Sequence, residues 1–178
     1  MSNRRKREGY PQTFGQAGPD QEEPGMSPVS RRRKQKPVRD CALTLLEYRD
    51  RTEQEMRRKL KEREYGAEEI EETIAFLTEY HYIDDKEYAR RYVRTYSDRK
   101  STRRIFGELE QKGIRREFIE EGFAEMPVDE EAQIAAWIRK KGCIPGEHLE
   151  ADQYRKLMAG LGRRGYSYDA IRRVMDGE

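Results

Sequence analysis

Between Lys86 and Arg104 the chain gathers eight basic residues: Lys86, Arg90, Arg91, Arg94, Arg99, Lys100, Arg103 and Arg104. Only Glu87 and Asp98 oppose them there. Arg90 and Arg94 are one helical turn apart with Arg91 adjacent, a spacing that puts three guanidinium groups on one side of a helix. A guanidinium is planar and presents paired donors, so it grips a phosphate or a carboxylate by two parallel bonds. Arg90, Arg91 and Arg94, aided by Arg99, Lys100, Arg103 and Arg104, are therefore the candidate binding residues. Nucleic-acid phosphates and acidic protein groups both satisfy that chemistry. Tyr88, Tyr92 and Tyr96 form a second stripe through the same segment. Exposed rings would stack on bases. Core packing is the favoured reading, because the segment has few other apolar residues to bury.

Other residue types point away from catalysis. Asp84 and Asp85 resemble a catalytic carboxylate pair, but Asp84 with Glu87 fits a helix-capping pattern. Cys41 and Cys143 are too few and too far apart for a disulfide framework or a zinc knuckle. Cys41 reads as a small buried apolar residue, with no base to activate it. His81 and His148 lack clustered metal ligands. The chain has no phosphate loop and no Gly-x-Ser-x-Gly elbow. We expect no enzyme activity and no metal.

Composition sets the class. Apolar residues make up 34% of 178 positions and charged residues 40%, yet the formal net charge is only +2. The chain is charge-rich without being a polycation. It has no run approaching the ~18 apolar residues of a membrane span. Its N-terminus lacks the apolar core of a signal peptide, so the expected setting is a reducing cytoplasm. Charge is uneven. Residues 1–37 carry nine basic and four acidic residues and five of the seven prolines. That composition cannot bury enough surface to order itself, so 1–37 reads as a disordered basic tail. It suits either a nucleic-acid backbone or solubility alone. Residues 47–85 have the opposite sign, with 13 acidic and seven basic residues. Solvation is their default role, and pairing with a basic partner is the alternative.

The segments that would position these groups are helical and repeated. Met56, Leu60, Tyr65, Ile70 and Ile74 are spaced 4, 5, 5 and 4 residues apart. Ile105, Leu109, Ile114, Ile119 and Phe123 repeat the spacing, as do Leu157, Leu161, Tyr166, Ile171 and Met175. Each set reads as helix, turn, helix, with Gly66, Gly113 and Gly165 beside the turn residue. A further helix precedes each set, over Asp40–Asp50, Asp85–Asp98 and Asp129–Lys141, with aspartate as the expected N-cap. Thr52 and Glu55 form a capping box. The expected fold is all-α, three tandem three-helix repeats in an elongated curved body, over 38–84, 85–127 and 128–178. A helix-turn-helix reader of duplex DNA is a poor fit. The last helix of the first unit carries Glu68, Glu69, Glu71 and Glu72, and that of the second carries Glu117, Glu120, Glu121 and Glu125. Phosphates repel such a face.

Three stretches carry a family resemblance: Arg51-Thr52-Glu53-Gln54-Glu55-Met56 through Leu60, Tyr82-Ile83-Asp84-Asp85-Lys86-Glu87-Tyr88-Ala89, and Leu109-Glu110-Gln111-Lys112-Gly113-Ile114. Together they resemble the RecX family over about residues 38–178, more strongly in the first two units than in the third. The resemblance implies a non-enzymatic, cytoplasmic, monomeric regulator of the RecA recombinase, acting in homologous recombination, DNA repair and the SOS response. It implies binding to RecA filaments on single-stranded DNA, in the helical groove, with a fall in ATP hydrolysis, filament extension and strand exchange. No cofactor and no membrane are implied. The runner-up is a general nucleic-acid binder acting through the tail and the basic patch. The chain departs from the family pattern in the tail and in the Gly142–Glu150 connector of the third unit.

Overall fold

The structure, a computed structural model, describes residues 36–177. The tail expected over 1–37 therefore lies, except for Lys36 and Pro37, outside the described residues. Among these residues the chain forms nine helices and no strand. The first triplet is α1 (Val38–Tyr48), α2 (Glu53–Lys61) and α3 (Ala67–Glu79). The second is α4 (Asp85–Tyr96), α5 (Thr102–Gln111) and α6 (Arg116–Glu125). The third is α7 (Glu130–Lys140), α8 (Ala151–Gly162) and α9 (Tyr168–Asp176).

Local chemistry explains the boundaries. At α2, Thr52 Oγ1 accepts the Glu55 amide at 3.1 Å while the Glu55 carboxylate accepts the Thr52 amide at 3.4 Å, the reciprocal box expected from sequence. Asp84, Ser101, Asp129 and Ser167 cap α4, α5, α7 and α9 with a side-chain oxygen. Two expected caps are corrected. Asp40 lies inside the first turn of α1, whose N-cap is Pro37 and carries no side-chain cap bond. Asp85 is the first residue of α4, and Asp84 is its cap.

The repeated spacing is a packing rule. Of its fifteen apolar positions, all but Tyr65 and Phe123 are buried. The five-residue gap after each second helix is one recurring turn. Leu60, Leu109 and Leu161 each accept, through the main-chain carbonyl, the amide of Tyr65, Ile114 or Tyr166 five residues on. The residue before that amide is left-handed: Glu64 at φ 63°, Gly113 at φ 81° and Gly165 at φ 91°. Gly66, expected beside the turn, is instead the N-cap of α3. Each triplet closes on its own core. The first packs Met56, Leu60, Ile74 and Leu77 with α1's Cys41, Ala42 and Leu45. The second packs Ala89, Val93, Ile105, Leu109 and Ile119. The third packs Ile134, Ile138, Leu157, Leu161 and Ile171. Burying such a side chain contributes about 1.5–3 kcal/mol, so each unit holds a small core of its own.

Polar junctions join the triplets, and the two junctions follow one plan. At the first, the Thr52 hydroxyl donates to the Lys112 carbonyl at 2.6 Å and Asp85 Oδ1 accepts the Glu53 amide at 3.0 Å. At the second, the Ser101 hydroxyl donates to the Arg164 carbonyl at 2.9 Å and Glu130 Oε1 accepts the Thr102 amide at 2.7 Å. The starts of α2 and α5 are thus satisfied from the following triplet, using donors that a helix leaves free.

Candidate binding surface

Each of the seven candidate cations is carried by α4, α5 or the Ser97–Ser101 loop between them. The fold separates them by what they touch. Arg90 turns toward α6, where Glu125 lies at 2.7 Å and Glu121 at 4.0 Å, and Lys86 shares Glu121 at 2.6 Å. The Arg90 Nε is buried with no hydrogen-bond partner among the described residues. Lys100 is enclosed. Its ammonium is 3.7 Å from the centre of the Tyr96 ring and 2.5 Å from Glu108. Arg104 reaches the same carboxylate at 3.1 Å. Partial burial pushes the Glu108 carboxyl upward. Hydrogen bonds from Lys100, the Tyr92 hydroxyl and Arg104 outweigh that and hold it down at about 2. Arg90, Lys100 and Arg104 therefore form ion pairs inside the second triplet.

The remaining four face solvent. Arg91 meets Asp50 of the first triplet at 2.8 Å, with both side chains at least half exposed. Among the described residues Arg99 pairs only with its sequence neighbour Asp98, at 3.5 Å on an open surface. Such pairs exchange readily with water and contribute little. Arg94 and Arg103 are exposed and make no ion pair among the described residues. Arg103 stands at the start of α5, beside a cleft of about 330 Å³ that it shares with Phe106, Glu130 and Ser167.

The tyrosine stripe packs as a core flank. Tyr88, Tyr92 and Tyr96 are half-buried against the second core, with ring centroids 6.2 Å and 4.6 Å apart. The Tyr92 hydroxyl donates to Glu108 at 2.6 Å. Burial and the adjacent carboxylate raise its pKa, so it stays a donor. The Asp84–Asp85 pair is also structural. Asp84 accepts the Glu87 amide at 2.9 Å, and Asp85 serves the first junction. Burial raises the Asp85 carboxyl to about 6, against the lowering effect of the Glu53 amide. Cys41 is buried, with the Arg63 guanidinium donating to its sulfur at 2.7 Å.

Sequence reasoning did not reveal which carboxylates would neutralise the basic run. The Arg104–Glu108 pair was legible from its four-residue spacing. Glu121 and Glu125 lie some 30 residues beyond Arg90 and meet it only because α4 packs on α6. A large cleft of about 860 Å³ between the first two triplets was also hidden. Part of its charged wall is internally paired, with Arg57 bound to Glu53 and Glu71 at 3.0 Å and Lys112 to Glu55 at 2.9 Å. Burial raises the Glu55 carboxyl, but the Lys112 bond and charge overcome this and its pKa is lowered.

Among the described residues, no helix is long and apolar enough to cross a membrane, and no cluster of three or more His, Cys, Asp or Glu is arranged to hold a metal. The arrangement offers exposed guanidinium groups on a rigid helical frame.

Comparison with known proteins gives a consistent result. Residues 39–77 match the family model of the first three-helix domain of RecX, residues 84–122 the second and residues 129–175 the third. A regulatory protein RecX from Vibrio vulnificus (strain CMCP6) is 34% identical over 140-odd residues, covering 79% of this chain and 92% of that one. One from Salmonella paratyphi C (strain RKS4594) is 32% identical over 160 residues, covering 83% and 95%. One from Clostridium botulinum (strain Eklund 17B / Type B) is 31% identical over 140 residues, covering 77% of this chain and 66% of its own length. The chain thus spans just under two thirds of that clostridial relative. The crystal structure of RecX from Lactobacillus salivarius is similar with a TM-score of 0.64 at 26% identity, over 79% of this chain and 93% of that one.

Proposed function

The chain belongs to the RecX family of regulatory proteins, and from that premise we propose that it binds RecA filaments on single-stranded DNA. It lodges in the helical groove and lowers ATP hydrolysis, filament extension and strand exchange. It acts as a cytoplasmic monomer in recombination, DNA repair and the SOS response, without a cofactor, since the ATPase belongs to RecA. Its working units are the tail 1–37 and the triplets 38–84, 85–127 and 128–178.

The observation that carries the reading is the partition of the basic run. Arg91, Arg94, Arg99 and Arg103 keep their charged heads in solvent, on a frame that Arg90, Lys100 and Arg104 brace from within. A cation already in water and lightly paired loses little when it meets a phosphate or a carboxylate. A cation in a partly buried pair must first break that pair. The filament presents both kinds of anion. The binding contribution therefore falls to Arg94 and Arg103 first, with Arg91 and Arg99 beside them.

The test is equilibrium binding to preformed RecA filaments by wild type, by an Arg94→Glu/Arg103→Glu variant and by Arg90→Glu. The first variant is expected to bind at least tenfold more weakly with an unchanged melting temperature. Arg90→Glu places a carboxylate against Glu121 and Glu125, and is expected to lower the melting temperature. Unchanged filament binding by Arg94→Glu/Arg103→Glu would remove the site assignment. Loss of all binding on deletion of residues 1–37 would favour a tail-driven nucleic-acid binder.

A further inference from the structure

The first triplet carries an exposed aromatic cluster that the basic surface does not include. Glu72, Phe76 and Tyr80 follow at four-residue intervals, so they run along one flank of α3. The helix ends in a turn with His81 in the left-handed region at φ 56°. In that turn the His81 amide donates to the Thr78 carbonyl and the Tyr82 amide to the Leu77 carbonyl, which folds Tyr82 back beside α3. The Phe76 ring centroid lies 4.7 Å from that of Tyr80 and 6.2 Å from that of Tyr82. Tyr80 remains 60% and Tyr82 54% exposed.

Charge identifies what such a surface would receive. Glu72, Glu79 and Asp84, all exposed, lie within a few residues of the rings along the chain. The guanidinium of Arg39 already lies 4.7 Å over the centre of the Phe76 ring, so this cluster accepts a cation on an aromatic face. Single-stranded DNA would bring phosphates against the carboxylates. A lysine- or arginine-bearing protein segment would place its cations over the tyrosine faces and within reach of Glu72 and Glu79. Tyrosines grouped in this way are common energetic centres of protein interfaces.

We propose that Phe76, Tyr80 and Tyr82, flanked by Glu72 and Glu79, form a docking face for a cationic segment of the RecA protein, separate from the arginine surface of the second triplet. This rests on the RecA reading above. The two faces would fix the orientation of the molecule, since one is acidic and aromatic and the other basic.

The experiment measures affinity for RecA assembled on single-stranded DNA, and for the bare oligonucleotide, using the full chain. The variants are Tyr80→Ala/Tyr82→Ala, Tyr80→Phe/Tyr82→Phe, Glu72→Lys/Glu79→Lys, and Tyr168→Ala as an exposed tyrosine elsewhere. Circular dichroism checks that each stays helical. The alanine pair and the lysine pair are expected to weaken filament binding at least tenfold, with oligonucleotide affinity within twofold of wild type. The phenylalanine pair and Tyr168→Ala are expected to bind as wild type does. Wild-type filament affinity in the alanine pair overturns the proposal, as does an equal loss on bare oligonucleotide. Failure of wild type itself to bind the filament overturns the RecA reading and this inference with it, a result distinct from the other two.

Discussion

At the scale of single residues, identity says little about role until partners are known. Arg94 and Arg90 are both arginines of α4, one turn apart, yet one is exposed without an ion pair among the described residues and the other is held by Glu125. Glu108 shows how such pairing stabilises the frame. Its carboxyl sits at about 2 against an ordinary 4.5, because three hydrogen bonds together outweigh its partial burial. A lowered carboxyl contributes stability that is present above its unfolded value and is lost as pH falls through its folded value. Glu108→Gln is therefore expected to destabilise the chain at pH 7 by about 1–2 kcal/mol after solvent screening is counted. The gap between variant and wild type should close as pH drops from about 5 toward 2. Thermal unfolding across that range checks it, and a gap that does not vary with pH would contradict the assignment. The cation run was legible in the sequence. Its division into bracing and exposed members was not, because Arg90 finds its carboxylates through the packing of α4 on α6.

At the scale of elements, the recurring turn after each second helix separates what one unit needs from what its neighbours impose. All three turns hold a left-handed residue. In the second and third triplets that residue meets the preceding triplet. A Cβ on Gly113 would run into the Gln54 side chain, and one on Gly165 would come within 2.7 Å of Ser101 Oγ. Among the described residues no triplet precedes the first, and there the residue is Glu64. Gly113→Ala is accordingly expected to cost about 2–4 kcal/mol, from backbone strain and from disruption of the first junction. Glu64→Gly is expected to stabilise by about 0.5–1 kcal/mol, because glycine adopts this conformation without a Cβ penalty. Chemical denaturation of the two variants tests the contrast; equal effects would contradict it. The helices, their caps and the apolar repeat could be read in advance, since each depends on residues three to five positions apart. The junctions could not, because Thr52 and Lys112 are 60 residues apart and meet by side chain to main chain. Asp40 misled for a local reason: an aspartate suits the first turn of a helix as well as the cap before it.

At the scale of the whole molecule, three small cores joined by polar junctions make a frame that displays charged and aromatic surfaces. The internal repeat made that architecture legible, because five apolar positions recurring three times fix both the fold class and the number of units. The proposed partner rests on family resemblance. No residue in the described chain names RecA by its chemistry, and the exposed arginines would accept phosphate or carboxylate alike. The most direct test is the rate of ATP hydrolysis by RecA on preformed single-stranded DNA filaments, at fixed salt, as this protein is titrated in. The account predicts a fall in rate at substoichiometric protein, lost in the Arg94→Glu/Arg103→Glu variant. An unchanged rate at equimolar protein, or an equal fall with that variant, would contradict it.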